Sequence, residues 1–257
     1  MLRFAANLSL MFTEAPFLER FEAAARAGFT AVEYLFPYAY ATADLAWRLQ
    51  TFGLEQVLFN GPPGDFSHAG ERGLAALPGR EAEFERGLLT ALDYAEALHC
   101  PRLHIMAGLT HQGANRPTFV RNMRMAARLA ATRHVQLLIE PINVRDMPGY
   151  LINRTSEALA LIALIGEANV GLQFDLYHRQ IMEGDLLAAI REFGAYAAHV
   201  QIAQPPDRGE PDHGEIDYRC VLEALDAAGY TGWVGCEYQP RGETVAGLSW
   251  LKIFSKT

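Results

Sequence analysis

The chain has 257 residues, half of them hydrophobic and a fifth charged, which suits one barrel-sized enzyme core or two smaller domains. Its formal charge of −8 argues against a broad surface for nucleic acid, though not against a small anionic substrate, for which one or two arginines suffice. No apolar run approaches the roughly 20 residues of a membrane helix, and the three cysteines, Cys100, Cys220 and Cys236, lack metal spacing and suit a reducing cytoplasm.

The apolar start, MLRFAANLSLMF, carries Asn7 in its middle and no cleavage region, so it reads as a first strand (3–8) rather than a signal peptide. Residues 17–27 place Phe17, Leu18, Phe21, Ala24 and Ala25 on one helical face, with Gly28 as the stop. A strand over 30–35 carries Glu33 and ends at Pro37; 42–52 reads as a helix and 54–60 as a third strand. The Gly- and Pro-rich segment 60–79 breaks this rhythm and reads as a lid over a site, a surface excursion being the alternative. A helix over 80–98 aligns Phe84, Leu88, Leu92 and Ala95; a strand follows at 102–106 and a helix at 118–133.

The stretch 135–143, VQLLIEPIN, is apolar on both faces and then delivers Glu140 and Pro141. Thr155 reads as the cap of a helix to Ile165, with Glu157 in its first turn. Then come a strand (170–175), a helix (179–194) broken near Gly184, and a strand (197–202). A second loop (203–216), a helix (217–228), a strand (232–238) and a closing helix (243–254) complete the chain. Trp47, Trp233 and Trp250 read as core or helix-packing residues. Eight strand–helix pairs alternate with no composition break, which predicts an α/β fold over 1–257 as a single (β/α)8 TIM-barrel domain. No glycine fingerprint or P-loop supports a nucleotide fold. A barrel puts its chemistry at the C-terminal ends of the strands.

Four successive apolar segments end there on an oxygen-bearing side chain: Glu140, Asp175, Gln201 and Glu237. Three converging carboxylates repel one another, and a divalent ion relieves that repulsion. All-oxygen ligation favours Mg²⁺ or Mn²⁺ over zinc. For any one of the four, a strand-end ion pair or cap is an equally good account; the set is what points to a site. His178, three residues past Asp175, is placed to fold back over that site. Arg208, in the loop after the seventh strand, suits bidentate capture of a carboxylate or ketose oxygen, or is simply a solvated loop arginine. Asn7, Glu33, Asn60 and His104 lie on or near strand ends and invite the same question. With only Lys252 and Lys256, both near the C-terminus, a Schiff-base lysine is excluded.

The segments RFAANLSLMF, AGERGLAALPGRE (69–81), EPIN (140–143), QFDLYH (173–178), RGEP…GEI (208–216) and GWVGCEY (232–238) together resemble the hydroxypyruvate isomerase family. That family is part of the xylose-isomerase-like TIM-barrel superfamily, which also holds ketose 3-epimerases and endonuclease IV. The resemblance implies interconversion of hydroxypyruvate and tartronate semialdehyde through a cis-enediol. It implies Glu140 and Glu237 as the acid/base pair, and Glu140, Asp175, Gln201 and Glu237 as ligands of a divalent metal, Mg²⁺ or Mn²⁺. His178 and Arg208 would match substrate-contacting residues. Related epimerases carry a histidine where Gln201 stands, and an amide binds metal more weakly. The rival readings are a 2-oxo-tetronate isomerase or ketose 3-epimerase, an endonuclease IV-like enzyme, and a non-catalytic sugar-acid-binding barrel. The partner expected is a small hydroxy-oxo acid in the cytoplasm, with no nucleic acid and no membrane; nothing in the chain signals its oligomeric state.

Overall fold

The computed structural model describes residues 2–254, so Lys256 lies outside the described residues. Eight strands form a closed barrel in chain order: β1 (Arg3–Asn7), β2 (Ala31–Tyr34), β3 (Glu55–Asn60), β4 (Arg102–His104), β5 (Gln136–Ile139), β6 (Val170–Asp175), β7 (Ala197–Ile202) and β8 (Trp233–Cys236). Neighbouring strands run parallel, as in the (β/α)8 barrel that the alternation predicts.

Helices separate the strands: α1 (Arg20–Arg26), α2 (Thr42–Phe52), α3 (Glu81–Ala97), α4 (Arg116–Ala131), α5 (Thr155–Ile165), α6 (Leu176–Met182), α7 (Leu186–Phe193), α8 (Tyr218–Ala227) and α9 (Leu251–Phe254). Their ends follow local chemistry. Asn115 accepts from the Thr118 amide at 3.0 Å at the start of α4, and Asp217 accepts from the Arg219 amide at 3.0 Å at the start of α8. α5 departs from expectation: Thr155 is its first helical residue and is buried, while Arg154 stands at the cap position without a side-chain cap bond. The helix expected from 179 begins at Leu176, with Asp175 capping it, and gives way to α7 past Gly184. The closing helix is mostly a 3₁₀ stretch, Thr244–Trp250, before α9. Among the described residues no helix is long and apolar enough to cross a membrane.

The chain divides into two compact units. One comprises the residues up to Tyr34, Ala43–Val57, and Phe174 onward. Its core packs Phe4 edge-on against Trp250 at 5.5 Å and Phe17 against Tyr34 at 5.3 Å, with Val200, Ile202 and Val234 buried between strands. Trp233 and Trp250 are buried, but Trp47 is 56% exposed and is not a core residue. Its ring carries the Arg48 guanidinium 5.3 Å from its centroid, which keeps the indole at the surface.

The other unit comprises Leu35–Thr42 and Leu58–Gln173. Leu103, Leu137, Leu138, Ile139 and Leu172 fill its strands, and Phe84, Leu88, Leu92 and Ala95 line the buried face of α3. Within it, the segment 60–79 is largely built into the body. Leu74, Ala75, Ala76 and Leu77 are buried, the Ala76 amide donates to Ala107 O at 2.9 Å, and Asn122 Nδ2 donates to Ala75 O at 2.9 Å. Arg80 Nη1 donates to Glu71 Oε1 at 2.6 Å. What stays exposed is the tip, 65–69, where Phe66 packs on Phe36 at 5.5 Å, and the end, Pro78 and Gly79.

Candidate active site

Strand register explains how polar side chains come to be buried in the first unit. Alternate residues of a barrel strand point to one side, so His199 and Gln201 of β7 face the same way. β1 pairs Asn7 with Glu33 of β2, and β7 pairs Gln201 with Gly235 of β8. Gly235 has no side chain, and the vacant volume is taken by the Glu33 carboxylate: a Cβ at 235 would collide with both of its oxygens.

Glu33, 1% exposed, is thereby surrounded by donors. His199 Nε2 lies 2.6 Å from Oε2, Gln201 Nε2 donates to Oε1 at 2.9 Å, and Asn7 Nδ2 donates to Oε1 at 3.0 Å. A buried carboxyl with hydrogen-bond partners on both oxygens is satisfied where it sits. Gln201 also hydrogen-bonds the Glu237 carboxyl.

Glu237 and Asp175 are the next carboxyls of this unit, both buried. Asp175 closes β6; its Oδ1 accepts from the Tyr177 amide at 2.8 Å, and its Oδ2 has no hydrogen-bond partner among the described residues. His178 Nε2 stands 3.6 Å from that Oδ2, so the histidine does fold back on Asp175. Burial pushes the Asp175 carboxyl up to about 6, with Arg208 pulling the other way. Burial, opposed by Arg208 and reinforced by Asp175 and Glu33, pushes the Glu237 carboxyl up to about 8.

Arg208 is thus placed on the chain's own acids. It projects from a narrow loop in which Gln204 and Gly209 exchange backbone hydrogen bonds of 2.9 and 3.1 Å, and it adopts a left-handed φ of 57°. Its Nη2 donates to Glu237 Oε1 at 2.9 Å and lies 3.9 Å from Asp175 Oδ2; its Nε donates to Glu237 O at 3.3 Å. The guanidinium also stacks 5.1 Å from the Tyr177 ring centroid.

In the second unit Glu140 follows β5 and is buried. His104 Nδ1, from the end of β4, stands 3.4 Å from Glu140 Oε2. Burial drives the His104 imidazole down to about 3, so the ring is neutral near pH 7 and gives Glu140 no counter-charge. The Tyr150 hydroxyl accepts from the Ala107 amide at 2.9 Å, and its pKa is raised by burial and by the Glu140 charge.

The first unit therefore gathers Asp175, His178, Gln201, Arg208 and Glu237 of the expected set, and the second places Glu140 beside His104. Sequence reasoning missed His199 and named Glu33 only as an open question. The signal for both was strand parity: 199 shares a face with Gln201, and Glu33 stands in register with Asn7. The donor set suits a hard cation. Asp175, Gln201 and Glu237 offer oxygens, Asp175 Oδ2 is an orphaned buried acceptor, and burial raises both carboxyls, a cost that a bound cation would offset.

Comparison with known proteins finds relatives along nearly the whole chain. A family model described as xylose isomerase-like TIM barrel matches residues 21–254. The chain is 52% identical to 2-oxo-tetronate isomerase of Cupriavidus necator, with 98% of each chain covered. It is 45% identical to hydroxypyruvate isomerase of Escherichia coli K12, again with 98% of each covered. A crystal structure described as AP endonuclease, family 2, from Brucella melitensis superposes with a TM-score of 0.96 at 50% identity over 100% of both chains.

Proposed function

We propose a substrate and a mechanism from the premise that this chain belongs to the hydroxypyruvate isomerase family of xylose isomerase-like TIM barrels and is an isomerase. The reaction is the interconversion of hydroxypyruvate and tartronate semialdehyde. The observation that carries it is the pair of buried carboxyls, Glu140 and Glu237, each one residue past a barrel strand, with Glu237 raised to about 8.

The chemistry moves a hydrogen between neighbouring carbons. One glutamate removes a proton from C3 of hydroxypyruvate as a carboxylate base, the C3 hydroxyl proton and the C2 oxygen rearrange through a cis-enediol, and a carboxylic acid returns a proton to C2. A carboxyl that keeps its proton close to neutrality, as Glu237 does, is matched to the acid half of that cycle. Arg208, held on Glu237, supplies positive charge where enediolate oxygens develop, and His178 stands ready beside Asp175 to hydrogen-bond a substrate hydroxyl. Glu140, Asp175, Gln201 and Glu237 would hold a divalent cation, Mg²⁺ or else Mn²⁺, which when bound supplies Lewis-acid polarisation of the substrate oxygens.

The second reading, a four-carbon 2-oxo-tetronate as substrate, is favoured by the 52% identity to the Cupriavidus necator enzyme of that name. No nucleic acid is proposed as substrate, in keeping with the net charge of −8, and no membrane as partner. The three free cysteines fit a cytoplasmic setting. The test is proton NMR of each oxo acid with the protein in D₂O, with and without EDTA and added Mg²⁺. The reading expects tartronate semialdehyde carrying deuterium at C2, suppressed by EDTA and restored by Mg²⁺. Turnover of only the four-carbon acid would select the second reading, and turnover indifferent to EDTA would remove the metal.

A further inference from the structure

We propose that Glu33 is a positioning residue for Glu237 and acts through the amide of Gln201. The inference rests on Glu237 serving as a proton-transfer group. Glu33 is the hub of a buried network drawn from β1, β2 and β7, bonded to Asn7, His199 and Gln201. None of these bonds reaches solvent, so each is at interior strength.

Gln201 is the one member that touches both carboxyls, donating to Glu33 Oε1 at 2.9 Å and hydrogen-bonding Glu237. An amide is ambiguous by itself, since nitrogen and oxygen occupy nearly the same shape. Glu33 removes the ambiguity: its Oε1, which also takes the Asn7 amide hydrogen, presents an acceptor, so the Gln201 nitrogen must face it. That fixes which face the amide presents to Glu237. His199 Nε2 on the other carboxylate oxygen prevents Glu33 from rotating away, and Gly235 supplies the room in which the carboxylate sits. The chain His199–Glu33–Gln201–Glu237 thus hands an orientation from a satisfied core carboxyl to a reacting group.

A purely structural Glu33 would tie strands together without specifying the amide, and a double-mutant cycle separates the two roles. Glu33→Gln keeps the shape but replaces one of the two acceptor oxygens with an NH₂, so the Gln201 amide no longer faces an obligate acceptor. We expect kcat for the oxo acid to fall at least about ten-fold with KM within about two-fold, the pattern of a group that matters in the transition state. In a Gln201→Met background, where no amide is left to orient, Glu33→Gln should change kcat by less than about two-fold. An equal loss in both backgrounds, or unaltered kcat in Glu33→Gln alone, overturns the proposal.

The same four proteins titrated with Mn²⁺ by calorimetry give a readout that needs no substrate. Weakened affinity in Glu33→Gln but not beyond Gln201→Met in the double variant supports the chain of contacts; equal affinity in wild type and Glu33→Gln opposes it. A wild type inactive on every oxo acid would sink the substrate reading and leave the Mn²⁺ cycle to decide this one. Should Glu33→Gln fail to fold, Glu33→Asp, which keeps the charge and withdraws it by one carbon, replaces it in the cycle.

Discussion

Glu237 and Glu140 each stand buried one residue beyond a barrel strand, yet their surroundings differ in kind. Glu237 shares its space with Asp175, Glu33 and the guanidinium of Arg208, a crowd of charges. Glu140 has beside it an uncharged imidazole, His104, and the phenol of Tyr150. Equivalent positions on repeated βα units can therefore be tuned separately, because what sets a carboxyl's proton affinity is its neighbours. At Glu237 burial raises the carboxyl first, and the charges of Arg208, Asp175 and Glu33 then adjust it.

The largest effect expected from breaking this contrast is on turnover. Glu140→Gln and Glu237→Gln should each fold and lose about 10²- to 10⁴-fold in kcat, measured by NMR on hydroxypyruvate. Activity retained in either removes it from the proton-transfer pair. The contrast also predicts opposite pH limbs. Glu237, raised to about 8, contributes stability that is complete below the ordinary carboxylate range and is lost as pH climbs through 8. Metal-free wild type should accordingly lose stability against Glu237→Gln between pH 5 and 9 in urea titrations, pH limits chosen to lie at roughly the two ends of that window.

His104, lowered to about 3 from 6.5, behaves in the other sense: its contribution is complete above 6.5 and is lost as pH falls toward 3, at most about 5 kcal/mol. His104→Gln should flatten this acid limb; an unchanged limb would mean that another group titrates there. Arg208→Met should lower kcat/KM by up to about a hundred-fold, as loss of a charge-assisted bond does, and Arg208→Lys should recover only part. The smallest effect belongs to Gly235→Ala, whose methyl group must displace Glu33. It should destabilise by at least about 1 kcal/mol in thermal melts, and an unaltered Tm would show that the carboxylate moves aside freely.

Much of this was legible in the residues. Periodicity alternating between strand and helix gives all eight strands, and the carboxylates that interrupt apolar runs at Glu140, Asp175 and Glu237 mark the strand ends. Arg208 was legible as either a substrate-capturing or a solvated loop arginine, and its attachment to Glu237 was not legible, because the loop that aims it depends on a left-handed φ at a non-glycine residue. The lid reading of 60–79 met a different obstacle. Gly and Pro content reports irregular backbone, whereas Leu74–Leu77 are irregular and buried, which only tertiary contacts such as Asn122 with Ala75 can specify. Thr155 looked like a cap because threonine often is one; it stands one position later, buried, as the first helical residue.

Arg208 has one more consequence. It is a counterion tethered to the chain, already seated between Glu237 and Asp175 at 2.9 and 3.9 Å. A diffusible cation can be stripped by a chelator, but this one cannot leave, so the crowded carboxylates are never without some opposing charge. For the divalent ion proposed above, removal is a reversible discharge rather than a collapse. Protein emptied with EDTA should keep, and should recharge on the bench.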